Sequence, residues 1–272
     1  MSIDLSDKEF QIIRDHIHKN YGINLGQEKK TLVYSRLRSV LQEQGMSDFT
    51  EYFNYLKNDR SGEASVKFID RITTNHTFFM REAEHFNYFR DEVLPYLERT
   101  HAKDKDLRLW CAACSSGEEP YTLQMIIQDN FRNKPGWSTD ILATDISSKV
   151  LTKAIRGVYP NENIKALPPE WQERYFNKLD NENSVVSDDL KKRVCFRKFN
   201  LMNSVYSFKK PFQVIFCRNV MIYFDAQTRE EVVKRFYGCT EPGGYLLIGH
   251  SESLNHSRSG YKYITSATYK KA

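Results

Sequence analysis

The sequence predicts an α/β protein, a doubly wound and mostly parallel sheet preceded by a small all-helical domain. Three observations carry that prediction. Apolar residues recur at helical spacing through roughly the first 73 positions. From Leu107 onward, short apolar runs that read as strands alternate with helical stretches. Polar residues then sit repeatedly just past strand carboxyl ends: Glu118, Asp145, Asn200, Arg218 and Asn219. Open α/β sheets bind their ligands at that edge.

Composition sets the outer bounds. A chain of 272 residues can bury a full core, as one large domain or as a small one beside a medium one. Forty basic residues against 35 acidic ones leave a mild net charge of +5, without the basic stripe and interleaved aromatics of a nucleic-acid binder. Five cysteines, an odd number without disulfide spacing, suit a reducing compartment. The N-terminus lacks a basic then apolar leader, and no apolar run nears the ~18 residues of a membrane span. A cytoplasmic protein is expected, monomeric, with no nucleic acid and no membrane insertion.

Ser6-x-x-Glu9 is a capping box before Phe10, Ile13 and Ile17, which share a helix face. Tyr21-Gly22-Ile23-Asn24 breaks that helix. The next runs from about Gln27 to Gln44 on Leu32, Val33, Leu37, Val40 and Leu41, and Lys29, Lys30, Arg36 and Arg38 make it basic. At 100° per residue Lys29 and Arg36 share a face, but Arg38 lies nearly opposite Lys29, so spacing alone gives a solvated surface as readily as a binding stripe. Ser47 is expected to cap a helix carrying Phe49, Tyr52, Phe53 and Leu56; Val66, Ile69 and Ile72 mark a fourth. Thr73 to Glu82 mixes hydroxyls, an amide and an Arg-Glu pair with two Phe, and by itself reads as an N-cap cluster for a helix over Ala83 to Arg99. His76 reads as a loop residue, with no other His or Cys at ligand spacing. His101 to Asp106 is a polar linker.

Leu107 to Tyr121 is the opening strand, turn and helix of the sheet domain. Pro120 and the acids Glu118 and Glu119 suit a helix N-terminus. The acids disfavour a phosphate and favour a ligand with hydroxyls or positive charge, a description that S-adenosylmethionine meets. An ordinary βα turn with capping acids accounts for the same residues. Cys111-x-x-Cys114 is not read as a redox pair, because the neighbouring carboxylates would raise its thiol pKa. No second ligand pair completes a zinc site, so no metal is expected. Asp145 ends a second strand 28 residues beyond Gly117, where ribose hydroxyls are gripped in related sheets. A helix follows over Ser147 to Arg156, and Pro168-Pro169 open another through Trp171. Residues 177–192 are polar and irregular, with no glycine between Gly157 and Gly238. Strands are expected at Val194 to Phe199 and Phe212 to Cys217, then a helix from about Ala226 to Cys239. Pro242-Gly243-Gly244 should turn into a strand over Tyr245 to Gly249, and Tyr261 to Tyr269 should close the sheet antiparallel. Gly249-His250-Ser251-Glu252-Ser253 lacks the final glycine and following helix of a hydrolase elbow.

Four stretches, in order, carry a resemblance. They are Thr74-Asn75-x-Thr77-x-Phe79-x-Arg81-Glu82, Ala112 to Tyr121, Ala143-Thr144-Asp145-Ile146, and Cys217-Arg218-Asn219-Val220-x-Ile222-Tyr223-Phe224. Together they resemble the CheR family, S-adenosylmethionine-dependent chemotaxis receptor methyltransferases, across nearly the whole chain. The resemblance implies a Rossmann-like methyltransferase sheet and methyl transfer to receptor glutamate carboxylates. It implies a helical receptor-facing domain over 1–82, a connecting helix and linker over 83–106, and a cofactor-binding domain over 107–272 with an irregular insert near 177–197. It further implies that Asn75, Thr77 and Arg81 reach the cofactor, with Arg81 near its methionine carboxylate and the reacting centre. Glu118 is placed by the methionine end and Asp145 on the ribose. Asn200, Leu201, Arg218 and Asn219 are placed around the adenine side and pocket wall, and Tyr223 near the methyl group. Arg81 and Tyr223 are the expected catalytic residues. Lys29, Lys30, Arg36 and Arg38 are the expected contacts to the acidic helices of a chemoreceptor bundle. Some members also dock on a receptor pentapeptide through a glycine-containing loop; the glycine-free 177–197 region implies a pentapeptide-independent protein. The rival readings are a methyltransferase for another acceptor and a module that senses S-adenosylmethionine without turnover.

Overall fold

The first helix, α1 (Asp7–Tyr21), begins at the expected capping box: Glu9 N–H donates to Ser6 Oγ at 3.3 Å and Ser6 N–H to the Glu9 carboxylate at 3.0 Å. The structure, a computed structural model, describes residues 4–60, 62–73 and 75–272. Gly22 ends α1 with φ +71°, and a Cβ there would lie 2.5 Å from Met202 Sδ, so glycine serves both the left-handed cap and the close approach of the sheet domain. Helices α2 (Lys30–Glu43), α3 (Phe49–Asn58) and α4 (Glu63–Ile72) pack with α1 around Phe10, Ile13, Leu37, Phe49 and Phe68. Two sequence expectations fail here. Asp48, not Ser47, caps α3 by accepting from Glu51 N–H at 2.8 Å, while Ser47 donates to the Glu51 carboxylate. Leu32, 38% exposed, stands outside this core.

Residues 75–82 form a strap, irregular over 75–78 and turning over 79–82, into α5 (Ala83–Tyr88), which continues through a π-helical turn, Phe89–Val93, into α6 (Leu94–Thr100). The strap is not an N-cap cluster. Glu82 precedes α5 with φ +56° and caps nothing, and its carboxylate is engaged elsewhere. Thr74 lies outside the described residues.

Next come β1 (Leu109–Ala112), α7 (Glu118–Phe131), β2 (Ile141–Asp145) and α8 (Ser148–Arg156). A subdomain follows: β3 (Val158–Pro160), α9 (Asn161–Ile164), α10 (Pro169–Tyr175), β4 (Phe176–Lys178), β5 (Asn183–Val186) and α11 (Asp188–Lys191). The chain ends with β6 (Val194–Lys198), β7 (Phe212–Cys217), α12 (Ala226–Cys239), β8 (Thr240–Ile248), α13 (His256–Ser259), β9 (Tyr261–Thr265) and β10 (Thr268–Lys271). The main sheet has the order β6-β2-β1-β7-β8-β10-β9; β6 through β8 run parallel and β10 pairs antiparallel with both β8 and β9. The insert is ordered rather than irregular, since β3-β5-β4 make an antiparallel sheet. Its tight turn uses Asp180 in place of glycine, accepting from Glu182 N–H at 2.8 Å and Asn183 N–H at 2.7 Å. Strand β8 starts before Pro242-Gly243-Gly244, which sits in it as a register shift.

Side chains of β1 alternate between the sheet's two faces. Leu109 and Cys111 join the layer of α5, α6 and α7, while Trp110 and Ala112 join the layer of α12. Trp110 is fully buried among Phe199, Tyr206, Phe208, Phe212 and Phe236, and its indole N–H donates to Thr144 Oγ1 at 2.9 Å. A buried Trp contributes large apolar area once its N–H is satisfied. Strand order reverses between β1 and β7, so a crevice opens at their carboxyl ends. The helical domain is fastened over it. Asn24 N–H donates to the Tyr223 carbonyl at 2.8 Å, Asn200 Nδ2 to the Asn20 carbonyl at 2.8 Å, and His18 meets Asp225 at 2.6 Å. On the other side Ser147 Oγ bonds Asp70 of α4.

Candidate functional site

The crevice is a cleft of about 350 Å³ between the sheet ends and the helical domain. Its inner wall is the turn after β1. Ala113 (φ +63°), Ser115 (φ +49°) and Gly117 (φ +99°) all adopt left-handed backbone, which curls the chain away from the strand end before α7. At Gly117 a Cβ would lie 2.9 Å from Ala154 Cβ and from the Tyr159 hydroxyl, so glycine is required twice over. Asp145 fixes this turn: its two carboxylate oxygens accept from Ser115 N–H at 2.8 Å and Ser147 N–H at 2.9 Å. Burial pushes its carboxyl above the usual range, against the backbone N–H groups of Ser147, Ser115 and Ile146. It lines the cleft with about one lone pair to spare, because a carboxylate offers about four and three N–H groups use the rest.

The two acids of the turn part company. Glu119 lines the cleft, whereas Glu118 is buried away from it and takes Ser116 Oγ at 2.8 Å. Burial raises the Glu118 carboxyl, partly offset by the Ser116 hydroxyl. Of the two acids it is Glu119, not the Glu118 that the resemblance places by the methionine end, that lines the cleft here. On a helix consecutive residues lie ~100° apart, and here that phase turns Glu118 toward Ser116 while Glu119 faces the cleft.

Arg218 is the electrostatic centre. Its side chain is 1% exposed, donates to Glu119 at 2.6 Å, to Glu82 at 3.1 Å and to the Arg81 carbonyl, and lies 5.1 Å over the Phe86 ring. It borders the cleft mainly as a buried strut between two carboxylates. Asn219, φ +57°, donates to Glu82 at 2.9 Å, and its N–H donates to Glu252 at 3.1 Å. Burial alone would raise Glu82. The Asn219 amide, the Arg218 charge and the His250 N–H outweigh it and hold the carboxyl at about 2. Glu252, raised by burial, accepts from Gly249, Asn219 and Ile222 N–H and clasps the loops after β7 and β8 together. Beside Glu82, burial and then the Arg218 charge push His85 down to about 3, so it is neutral.

The outer wall is looser. Asn75, Thr77 and Arg81 line it from the strap; Asn75 donates to Thr73 Oγ1 at 3.2 Å and Arg81 to the His76 carbonyl at 2.6 Å. Tyr223, 38% exposed, faces the cleft from the segment that pairs with Asn24. Asn200 and Leu201 close one end, although Asn200 spends its amide on the helical domain and its Oδ1 on Met202 N–H. The four basic residues of the helical domain do not form one patch. Lys29 and Arg36 line the cleft, with Arg36 also bonded to the Ile72 carbonyl. Lys30 pairs with Asp7 at 2.7 Å, and Arg38 lies over the Tyr34 ring at 5.9 Å.

Sequence reasoning missed Glu119, Glu82 and Glu252. Only Glu119 left a readable signal, as half of an acidic pair in which helical phase allows one member to face the ligand. Cys111 and Cys114 are fully buried, and burial pushes both thiols well up, the opposite of what a redox dithiol needs. A turn of left-handed backbone, an acid at the end of β2 and a carboxylate beside the opening helix fit a cationic nucleoside such as S-adenosylmethionine.

Comparison with known proteins agrees. Residues 75–270 match the CheR methyltransferase SAM binding domain, and residues 8–73 match the CheR methyltransferase all-alpha domain. A chemotaxis protein methyltransferase of Borreliella burgdorferi is 41% identical, over 100% of this chain and 96% of that protein. One from Escherichia coli is 40% identical over 93% of this chain and 86% of its own length. The chemotaxis protein methyltransferase 1 of Pseudomonas aeruginosa is 36% identical over 95% of each. Fold, cleft and relatives lead to one conclusion: the chain belongs to the CheR family of S-adenosylmethionine-dependent chemotaxis methyltransferases.

Proposed function

We propose that this protein methylates the side-chain carboxylate of particular glutamates in chemoreceptors, acting in the cytoplasm as a protein-glutamate O-methyltransferase. The observation that carries the reading is the asymmetry of the cleft. Asp145 and Glu119 against Arg218 leave its inner wall net negative, and Arg81, Lys29 and Arg36 against Glu28 leave its outer wall net positive. A cationic cofactor suits the first and an anionic acceptor the second.

S-adenosylmethionine, when bound, supplies a methyl group activated on a sulfonium. Asp145 offers acceptor lone pairs to the ribose hydroxyls, and Glu119 takes the methionine end in place of Glu118. Asn75, Thr77, Asn200, Leu201 and Asn219 complete the surround, with Arg218 holding Glu119 and Glu82 in place. A receptor glutamate, with an ordinary pKa of ~4.3, arrives ionised, so no general base is needed. Arg81 and the Tyr223 hydroxyl are suited to donate to that carboxylate and align it with the methyl carbon. Such alignment can supply ~7–11 kcal/mol of the barrier. Lys29 and Arg36 extend the positive wall toward an acidic receptor helix. The receptor roles of Lys30 and Arg38 are weaker, because an ion pair and a ring contact already occupy them. The Asp180 turn supports a pentapeptide-independent protein.

The test is transfer of labelled methyl from S-adenosylmethionine to membranes carrying chemoreceptors, followed by mild alkali. Carboxyl methyl esters hydrolyse there and N-methyl groups survive. Alkali-labile label that vanishes when receptor glutamates are replaced is the expected result. Alkali-stable label, or none despite cofactor binding, would overturn the reading.

A further inference from the structure

Behind the cleft, three groups converge that the transfer reaction does not use as ligands: Glu82 of the strap, His85 of α5 and His250 from the loop after β8. Their ligand atoms all lie within 4.8 Å of one another. His85 Nδ1 is 3.5 Å from Glu82 Oε2, and the His85 and His250 rings meet edge-on with centroids 4.3 Å apart. His85 is 3% exposed, and among the described residues neither of its ring nitrogens has a hydrogen-bond partner. Buried polar atoms are nearly always paired, and leaving one unpaired is costly. A neutral imidazole has one lone-pair nitrogen and one N–H; with Nδ1 facing a carboxylate and a second imidazole, its lone pair suits a metal cation, while Nε2 keeps the proton.

We propose that Glu82, His85 and His250 form a binding site for a divalent transition-metal cation of the zinc class. Two imidazoles select zinc, cobalt, nickel or copper over magnesium and calcium, which prefer oxygen. Bonds of ~2.0–2.2 Å in a tetrahedral array put ligand atoms about 3.3 Å apart. The Glu82–His85 spacing already matches, and His250, on an exposed loop, closes the remainder by side-chain rotation. Water takes the fourth position. Charge also permits it: Glu82 and Glu119 together exceed Arg218 by one negative charge. Oε2 of Glu82, the oxygen beside His85, already accepts from Arg218 and the His250 N–H, so a metal bond there displaces one of those two, while Oε1 accepts from Asn219. An ion there would tie the strap, α5 and the β8 loop together. The proposal does not rest on the identity of the methyl acceptor.

The experiment uses the full chain stripped of metal, titrated with Zn²⁺ against a chromophoric chelator, with thermal unfolding followed in parallel. One zinc per chain and a raised Tm are expected. His250→Ala, at an exposed position, and His85→Gln should each weaken zinc at least ~10-fold and remove the rise in Tm. No zinc taken up at micromolar metal would overturn the proposal. So would one zinc per chain bound equally well by wild type and both variants, which would place the ion elsewhere.

Discussion

The two walls of the cleft are built on opposite principles. On the inner wall the polar groups bind one another: Asp145 holds two backbone N–H groups, Arg218 joins two carboxylates, and Glu252 gathers three N–H groups. On the outer wall Asn75 and Arg81 stand on a strap and Lys29 and Tyr223 on two 3-10 turns, with more of their surface in solvent. A wall that is already satisfied stays the same shape whether or not a ligand is present, and that preorganisation suits the small cofactor that every turnover needs. A wall of partly exposed cations suits a larger acidic partner that comes and goes. The difference says which substitutions should cost stability and which should cost only turnover.

The largest effect should come from breaking the inner wall's centre. Arg218→Met leaves Glu82 and Glu119 without their cation and should destabilise the fold by about 3–5 kcal/mol in chemical unfolding; a loss under about 1 kcal/mol would show that the strut is dispensable. Acid should act on the same cluster. In metal-free protein the unfolded chain protonates His85 near 6.5 and Glu82 near 4.5, the folded chain only near about 3 and about 2. The unfolded state therefore binds more protons across those windows, and stability must fall as pH drops from about 6.5 toward 3. His85→Gln should flatten the upper part of that fall in Tm against pH, and an unchanged profile would contradict the neutral buried histidine.

Next comes the turn. Gly117→Ala meets Ala154 and Tyr159 and strains a φ of +99°, so it should cost roughly 1–3 kcal/mol and weaken cofactor binding at least about tenfold. Asp145→Asn keeps the shape but cannot accept from both Ser115 and Ser147; an orphaned N–H costs about 1–3 kcal/mol, and calorimetry should find weaker S-adenosylmethionine. Unchanged affinity would count against Asp145 as a ribose ligand. Smallest is Lys29→Glu on the outer wall. It should raise the receptor KM a few-fold, on the scale of an exposed charge worth about 0.2–1 kcal/mol, and leave cofactor affinity alone. A loss of cofactor affinity there would blur the two walls.

Much of this division was legible because its signals are local. The Ser6-x-x-Glu9 box, the β1 run around Trp110, Asp145 at a strand end and the α12 helix need only neighbours in sequence. What failed needed three dimensions. Glu118 and Glu119 are equivalent on paper, and the helix phase relative to β1 sends one inward to Ser116 and the other to Arg218. Glu82 reads as a cap, yet one of its partners is 168 residues away at His250. Residues 177–192 read as irregular because β4 and β5 are too short for periodicity, and the turn uses an aspartate where glycine is the usual mark. Spacing puts Lys29 and Arg36 on one helix face, and docking of the helical domain turns that face into the cleft.

The most direct test measures cofactor binding and methyl transfer in one Arg81→Ala preparation. Arg81 is half-buried, and its hydrogen bond to the His76 carbonyl lies within the strap, so the fold should survive its loss. With S-adenosylmethionine saturating, methyl transfer to receptor membranes should fall by at least about a hundredfold, the scale of losing one preorganised charged donor. Near-normal turnover with the cofactor bound would contradict the assignment of the outer wall to the acceptor.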